Sequence, residues 1–302
     1  MEKAHKSGFV NLIGHPNVGK STLTNALVGE RLNIITPKAQ TTRHRIFGIL
    51  NGETPDFDYQ LVFSDTPGVL DPAYALQETM LSAVKSAFED ADIFLYVVEL
   101  GEGPLKNEHL FKGLQEADKP VLVLLNKVDL HDQEKLERET VLWSTWMPKA
   151  EIIPISALTK FNLDYVMQRL LQLLPECPPY FEKGQLTDRS ERFVTSEIIR
   201  EQILLNYSKE IPYSVEVGID TFVEEEKIIK IRALLYVARD SQKGILIGHK
   251  GAALKRVGTG ARKRLQDFFQ KHVHIELYVK VQADWRNDRS KLKRFGYEWN
   301  PL

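Results

Sequence analysis

A doubly wound α/β domain followed by a smaller α+β module is what this sequence predicts, on three observations. Through the first half, short apolar runs alternate with segments of helical spacing. At residues 174–180, LPECPPY places three prolines within five positions, a stiff stop between two blocks. Beyond it the order of elements changes, and 302 residues are enough for two domains that each bury a core. The expected boundaries are 1–174 for the first domain, 175–190 for the linker and 191–302 for the second domain with its basic C-terminal segment.

In the first block FVNLI, YQLVF, IFLYVVEL, VLVLL and IIPIS are rich in β-branched and aromatic residues, which reads as mostly buried parallel strands. STLTNALVG, NEHLFKGLQEA and NLDYVMQRLLQLL supply the intervening helices. The second block opens with a long helix across SERFVTSEIIREQILLNYS and continues with two strands, YSVEVGIDTF and KIIKIRALLYVAR. A basic helix, GAALKRVGTGARKRLQDFFQ, and a last strand, VHIELYVKV, complete it. Such an order packs helices on a sheet that is either antiparallel or mixed.

The formal net charge of −1 hides an asymmetry: residues 181–302 carry 23 basic and 17 acidic side chains, a net of +6, leaving −7 for the rest. Opposite signs imply different partners for the two blocks. Residues 241–266 hold seven basic residues and no acidic one, which is either a solvated face or a nucleic-acid surface. The single cysteine, Cys177, excludes an intrachain disulfide and a thiolate cluster and reads as an incidental linker thiol in a reducing compartment. With no secretory leader and no apolar run of spanning length, a cytoplasmic protein is expected.

GHPNVGKS, residues 14–21, fits G-x-x-x-x-G-K-[ST] and sits between a strand and a helix, where that motif works. Backbone amides of Gly14, His15, Pro16, Asn17, Val18 and Gly19, apart from the proline, can wrap α- and β-phosphates. Lys20 can reach the β- and γ-oxygens, and Ser21, with Thr22 behind it, can offer a hydroxyl to Mg2+. DTPG follows the strand YQLVFS: Asp65 can hold the metal through water, Thr66 and Pro67 shape the turn, and Gly68 can bring its amide to the γ-phosphate. NKVD, with Asn126, Lys127 and Asp129, ends the strand VLVLL at the carboxyl edge of the sheet. The Asp129 carboxylate can accept from the ring N–H and the exocyclic amine of guanine together, a donor pair adenine lacks. SAL, with Ser156, Ala157 and Leu158, follows the next strand and can offer the Ala157 amide to the guanine oxygen. GTP and GDP are therefore the expected ligands, with Mg2+ held by Ser21 and, through water, by Asp65.

With these motifs in place, the chain resembles the Era family of translation-factor-related GTPases along nearly its whole length. TPKAQTTRHRIFGI, residues 36–49, is the most specific match. The resemblance implies that Thr42, with Thr41 beside it, closes over Mg2+ and the γ-phosphate in the GTP state. In DTPGV, Val69 stands where better-known small GTPases carry a glutamine that orients the attacking water, and an apolar side chain cannot do so. The resemblance further implies that Asn17 helps bind K+ in place of an arginine finger. The expected catalytic group is thus Lys20, Thr42, Gly68 and Asn17.

A second glycine pair, GHKG at Gly248, His249, Lys250 and Gly251, is too short for a triphosphate cradle. Joined to a basic helix start and flanking strands, it fits the G-X-X-G loop of a KH domain, which clamps about four unpaired nucleotides. Lys255, Arg256, Arg262 and Lys263 on the following helix are the expected phosphate contacts. TDRSERF, TSEIIRE, IPYSVEV and IELYVKV also resemble the Era C-terminal domain, which implies the 3′ end of small-subunit ribosomal RNA as ligand and maturation of the small ribosomal subunit as role. Two rivals remain: a passive RNA-binding protein with a structural nucleotide, and a cell-cycle GTPase whose basic face meets anionic lipid. The glycine clamp disfavours the second, since lipid asks for cations alone. A monomer is expected, cytoplasmic, with a peripheral inner-membrane fraction left open.

Overall fold

The computed structural model describes residues 3–297. The chain divides into two compact units. The first comprises residues up to Asn33, Thr42–Pro72 and Met80–Asp188; the second comprises Ile34–Thr41, Ala73–Thr79 and Arg189 onward.

The first unit holds β1 (Ala4–Ile13), α1 (Lys20–Val28), β2 (Ile46–Glu53), β3 (Phe57–Asp65), most of α2 (Ala75–Glu89), β4 (Ile93–Glu99), α3 (Glu108–Glu116), β5 (Val121–Asn126), α4 (Gln133–Trp146), β6 (Glu151–Pro154) and α5 (Leu163–Leu173). Its sheet runs β2-β3-β1-β4-β5-β6, parallel throughout except for β2 against β3. The continuous apolar runs have a direct cause. In β4, Ile93, Leu95 and Val97 face a core shared with α1 and α5, while Phe94, Tyr96 and Val98 face the opposite core shared with α2, α3 and α4. A strand covered on both faces shows no polar alternation. Because β3 lies on one side of β1 and β4 on the other, the strand order reverses beside β1, and the crevice at the carboxyl ends opens there.

The proline-rich stretch is bound, not free. Ser7 and Cys177 exchange backbone hydrogen bonds with Pro175 and His5, and the buried amide of Gln60 accepts from Tyr180 and Phe181 at 2.8 and 2.9 Å. Leu186, Thr187 and Asp188 then lie along the outer edge of β2: the Ile49 amide donates to the Leu186 carbonyl at 2.9 Å and the Phe47 amide to Asp188 Oδ1 at 3.0 Å.

The second unit adds α6 (Glu191–Asn206), α7 (Ile211–Ser214), β7 (Val215–Glu224), β8 (Ile228–Val237), α8 (Asp240–Ile247), α9 (Ala252–Phe269), β9 (His272–Val281) and α10 (Arg289–Arg294). Its sheet is mixed: β7 pairs antiparallel and β9 parallel with β8. The core side chains of β8, Ile229, Ile231, Ala233, Leu235 and Val237, alternate as a sheet with one covered face requires. Val257, Ala261 and Leu265 of α9 recur every four residues and bury against them.

Candidate nucleotide site and nucleic-acid groove

In the first unit, the loop between β1 and α1 is shaped by backbone that side chains tolerate poorly. Gly19 has φ +103, and a Cβ there would meet Asn126 Nδ2 at 2.3 Å; a Cβ on Gly68 would meet the backbone of Pro16 at 2.5 Å. Glycine is thus required where the loop between β1 and α1 presses on the end of β5 and on the loop after β3. Lys20 opens α1, is buried, and donates to the carbonyls of Gly14 at 2.9 Å and His15 at 2.8 Å. Burial lowers its ammonium to about 8, with Asp65 and Glu102 pulling it back.

Three oxygens converge beside it. Ser21 Oγ donates to Asp65 Oδ2 at 2.6 Å and lies 2.8 Å from Thr42 Oγ1. Asp65 is fully buried and its Oδ1 has no hydrogen-bond partner. Burial pushes its carboxyl up to about 6, against the Ser21 hydrogen bond and the Lys20 charge. A hard oxygen set with one orphaned carboxylate oxygen fits a Mg2+ ion, which prefers such ligands and keeps several waters. The structure also separates the two threonines: Thr41 Oγ1 pairs with Thr36 Oγ1 and the Lys38 carbonyl at 2.6 Å each, whereas the Thr42 hydroxyl faces Ser21.

Val69 is buried in the core with Ile13, Phe94 and Val98, and its amide donates to the Gly14 carbonyl at 3.0 Å. Its side chain is spent on packing. Asn17 stands exposed at the loop tip with φ +66. At the other end of the crevice, Asn126 Nδ2 donates to the Val18 carbonyl at 2.7 Å and Oδ1 accepts from the Ala157 amide at 2.9 Å. Lys127 adopts φ +66 and its Nζ bonds Glu99 Oε2 at 2.6 Å. Asp129 lies exposed in the short turn Val128–Leu130, Ser156 is buried and accepts from the Thr159 amide, and Leu158 is exposed.

Glu99 and Glu102 escaped the sequence reading. Glu102 Oε1 lies 3.1 Å from His15 Nδ1 without hydrogen-bond alignment. Neither acid carries a spacing that distinguishes it from its neighbours; only the end of β4 and the turn after it, folded beside the loop between β1 and α1, give them their place.

In the second unit, α8 ends at Gly248 and α9 begins after Gly251, with His249 and Lys250 exposed at the turn between them. Gly248, Lys250 and Gly251 all have positive φ, at +72, +47 and +76. A groove of about 390 Å³ follows, lined by Gly251, Leu254, Lys255, Gly258, Arg262 and Ile275 among others. It runs between one face of α9 and β9. Of the four helix cations, Lys255 and Arg262 line this groove; Arg256 and Lys263 are exposed outside it.

Residues 9–127 match the family of 50S ribosome-binding GTPases, and residues 210–286 match the KH domain family. Over 295 residues, 97% of this chain and 95% of the relative, the sequence is 44% identical to GTPase Era of Syntrophus aciditrophicus strain SB. The chain belongs to the Era family of GTPases. Era structures also share the fold: one in complex with MgGDPNP and nucleotides 1506–1542 of 16S ribosomal RNA has a TM-score of 0.91 at 35% identity, covering 98% of this chain and 100% of that one. An Aquifex aeolicus Era variant bound to GDP and AlF4− gives 0.92 at 35% identity, covering 97% and 100%. As an Era-family member the chain is a GTP-hydrolysing enzyme with a KH-type second domain. Among the described residues no helix is long and apolar enough to cross a membrane.

Proposed function

We propose that this GTPase is a switch that binds the single-stranded 3′ end of small-subunit ribosomal RNA and acts on the maturing small ribosomal subunit. The observation that carries the enzymatic half is the oxygen cluster of Ser21, Thr42 and Asp65 with its unpartnered Asp65 Oδ1. The ribosomal RNA held by the related Era, together with the positive-φ GHKG turn and its basic groove, supports the other half. We assign residues 1–174 to the nucleotide, 175–190 to the connection and 191–302 to RNA.

At the nucleotide, loop amides from Gly14 to Thr22, Pro16 excepted, hold the phosphates, and Lys20 turns its ammonium to the β- and γ-oxygens. Mg2+, held by Ser21, Thr42 and Asp65, neutralises charge on the transferring phosphoryl group. The Gly68 amide senses the γ-phosphate, with Thr66 and Pro67 fixing its loop. Asp129 and the Ala157 amide read guanine, and Lys127 borders the base. Since Val69 is buried, no side chain at that position aligns the attacking water; Asn17, exposed at the loop tip, would hold K+, which would supply positive charge beside the phosphates. At the RNA, Gly248 to Gly251 let the backbone approach while Lys255 and Arg262 meet phosphates.

Crosslinking in cells followed by sequencing of the bound RNA tests the target. Enrichment of the 3′ end of small-subunit ribosomal RNA is expected; enrichment of other RNAs, or recovery with membrane and no RNA, would refute the assignment.

A further inference from the structure

We propose that Arg200, held by Glu197, is a positioning residue for Thr42 in the GTP reaction. The proposal rests on the reading of Thr42 given above. Both partners sit on α6 and both are buried, Arg200 to 1% and Glu197 to 8% side-chain exposure. A buried ion pair gives little net stability, because desolvation cancels most of its attraction. What the remaining donors hold is therefore the informative part.

Arg200 Nε donates to Glu197 Oε1 at 2.7 Å, and Nη2 is shared between Glu197 Oε2 and the Thr41 carbonyl. Nη1 reaches the Gln40 carbonyl at 3.4 Å. The planar fork thus spans two successive carbonyls, a geometry lysine cannot reproduce. The Thr41 carbonyl belongs to the peptide that leads into Thr42, so fixing it fixes the plane that carries the Thr42 nitrogen and Cα, from which its side chain departs. Gln40 is held at φ +57, a conformation that surrounding contacts must impose. Those contacts are present: Tyr74 donates to Gln40 Oε1 at 3.0 Å, and Lys38 Nζ donates to the Leu204 and Tyr207 carbonyls at the end of α6. Residues Ile34–Thr41 accordingly belong with α6 in the second unit.

A hydroxyl that must meet a metal ion loses its effect when displaced by a fraction of an ångström. Removing the fork should act on Mg2+ use in the GTP state and spare GDP. The test uses the full chain with Arg200→Met/Glu197→Leu, which leaves no unpaired buried acid, and compares it with Thr42→Ala and with all three changes together. Turnover is measured against Mg2+ concentration, alongside GDP affinity and thermal unfolding.

The expected result is that the Mg2+ concentration for half-maximal turnover rises about tenfold in the pair variant, as for one lost positioned hydrogen bond, while GDP affinity changes less than about twofold. Adding the pair change to Thr42→Ala should then shift the Mg2+ dependence less than about twofold. A pair variant that unfolds at lower temperature but keeps wild-type Mg2+ dependence would show an anchor of purely structural effect and overturn the proposal alone. Unchanged Mg2+ dependence in Thr42→Ala itself would remove both the reading of Thr42 and the proposal. If the pair variant does not fold, Arg200→Lys serves instead: a rise of about threefold supports the proposal and no rise overturns it.

Discussion

Asn126 ties three loops together through one buried amide, accepting from the Ala157 N–H at 2.9 Å while donating to the Val18 carbonyl at 2.7 Å. The last residue of β5 thus links the loop between β1 and α1 to the loop that follows β6. Asn126→Ala leaves a buried donor and a buried acceptor unpaired, which costs about 2–4 kcal/mol. A lower unfolding midpoint in denaturant, with GTP and GDP affinity both reduced at least tenfold by calorimetry, is the expected outcome.

Asp129→Asn should turn base preference from guanine towards xanthine, because an amide can donate to the carbonyl that replaces the guanine amine. Sites built on such hydrogen bonds discriminate by roughly 10^4 to 10^5. Competition between GTP and xanthosine triphosphate measures it; a mutant that still prefers GTP takes Asp129 out of base recognition.

Mg2+-GTP binding should fall on both sides of a window between about pH 6 and pH 8. Asp65 is held protonated up to about 6, so below that value metal binding must displace a proton and weakens by about tenfold per pH unit. Lys20 loses its charge above about 8 in the nucleotide-free protein, and the phosphates lose a cation. For stability without nucleotide the Asp65 sign reverses. Its raised folded pKa favours the folded state fully below its ordinary value of 3.8, and that benefit is lost as pH rises through about 6. Titrations of affinity and of unfolding temperature across pH 5 to 9 separate the two effects.

With Val69 packed in the core, intrinsic hydrolysis should be slow and faster in K+ than in Na+. A missing transition-state cation costs about 10^3 to 10^5 in related hydrolases. Asn17→Ala should shrink the difference between the salts; equal turnover in both with the wild-type protein would assign the missing charge to a partner.

Replacing His249 and Lys250 by Asp would place carboxylates in the proposed phosphate clamp, so RNA binding should collapse with GTP affinity unchanged. The groove refines the expectation for the helix: Arg262→Ala should lower affinity and reduce the single-strand salt slope by about 0.7, whereas Lys263→Ala, outside the groove, should change both little. Titrations at several salt concentrations distinguish them, and equal effects would place the RNA elsewhere on α9.

What could be read in advance was whatever leaves a local pattern. β4 and β5 show as unbroken apolar runs because both faces are covered, and GHPNVGKS, DTPG and NKVD carry their chemistry at fixed spacing. β2 begins inside the switch-region segment 36–49, which carries no strand pattern of its own, and α4 buries only Trp143 while Val141 and Leu142 stay exposed, so its helical period is faint. The sheet of the second unit could be antiparallel or mixed until β9 was seen to run parallel to β8. The partners of Lys127 and Arg200 were beyond reach for a different reason: Glu99 lies 28 residues before Lys127, and the Thr41 carbonyl 159 before Arg200. No short-range pattern encodes contacts between such distant stretches.

The strip of chain at Leu186, Thr187 and Asp188 occupies the outer edge of β2, where unpaired amides of Phe47 and Ile49 would otherwise face water. An uncovered flat edge of this kind is a template for another molecule's strand. The connecting segment therefore acts as a hem for the six-stranded sheet. A fragment cut after Leu174 would be prone to self-association into β-rich aggregates, while one carried through Asp188 would keep its margin sealed and stay dispersed.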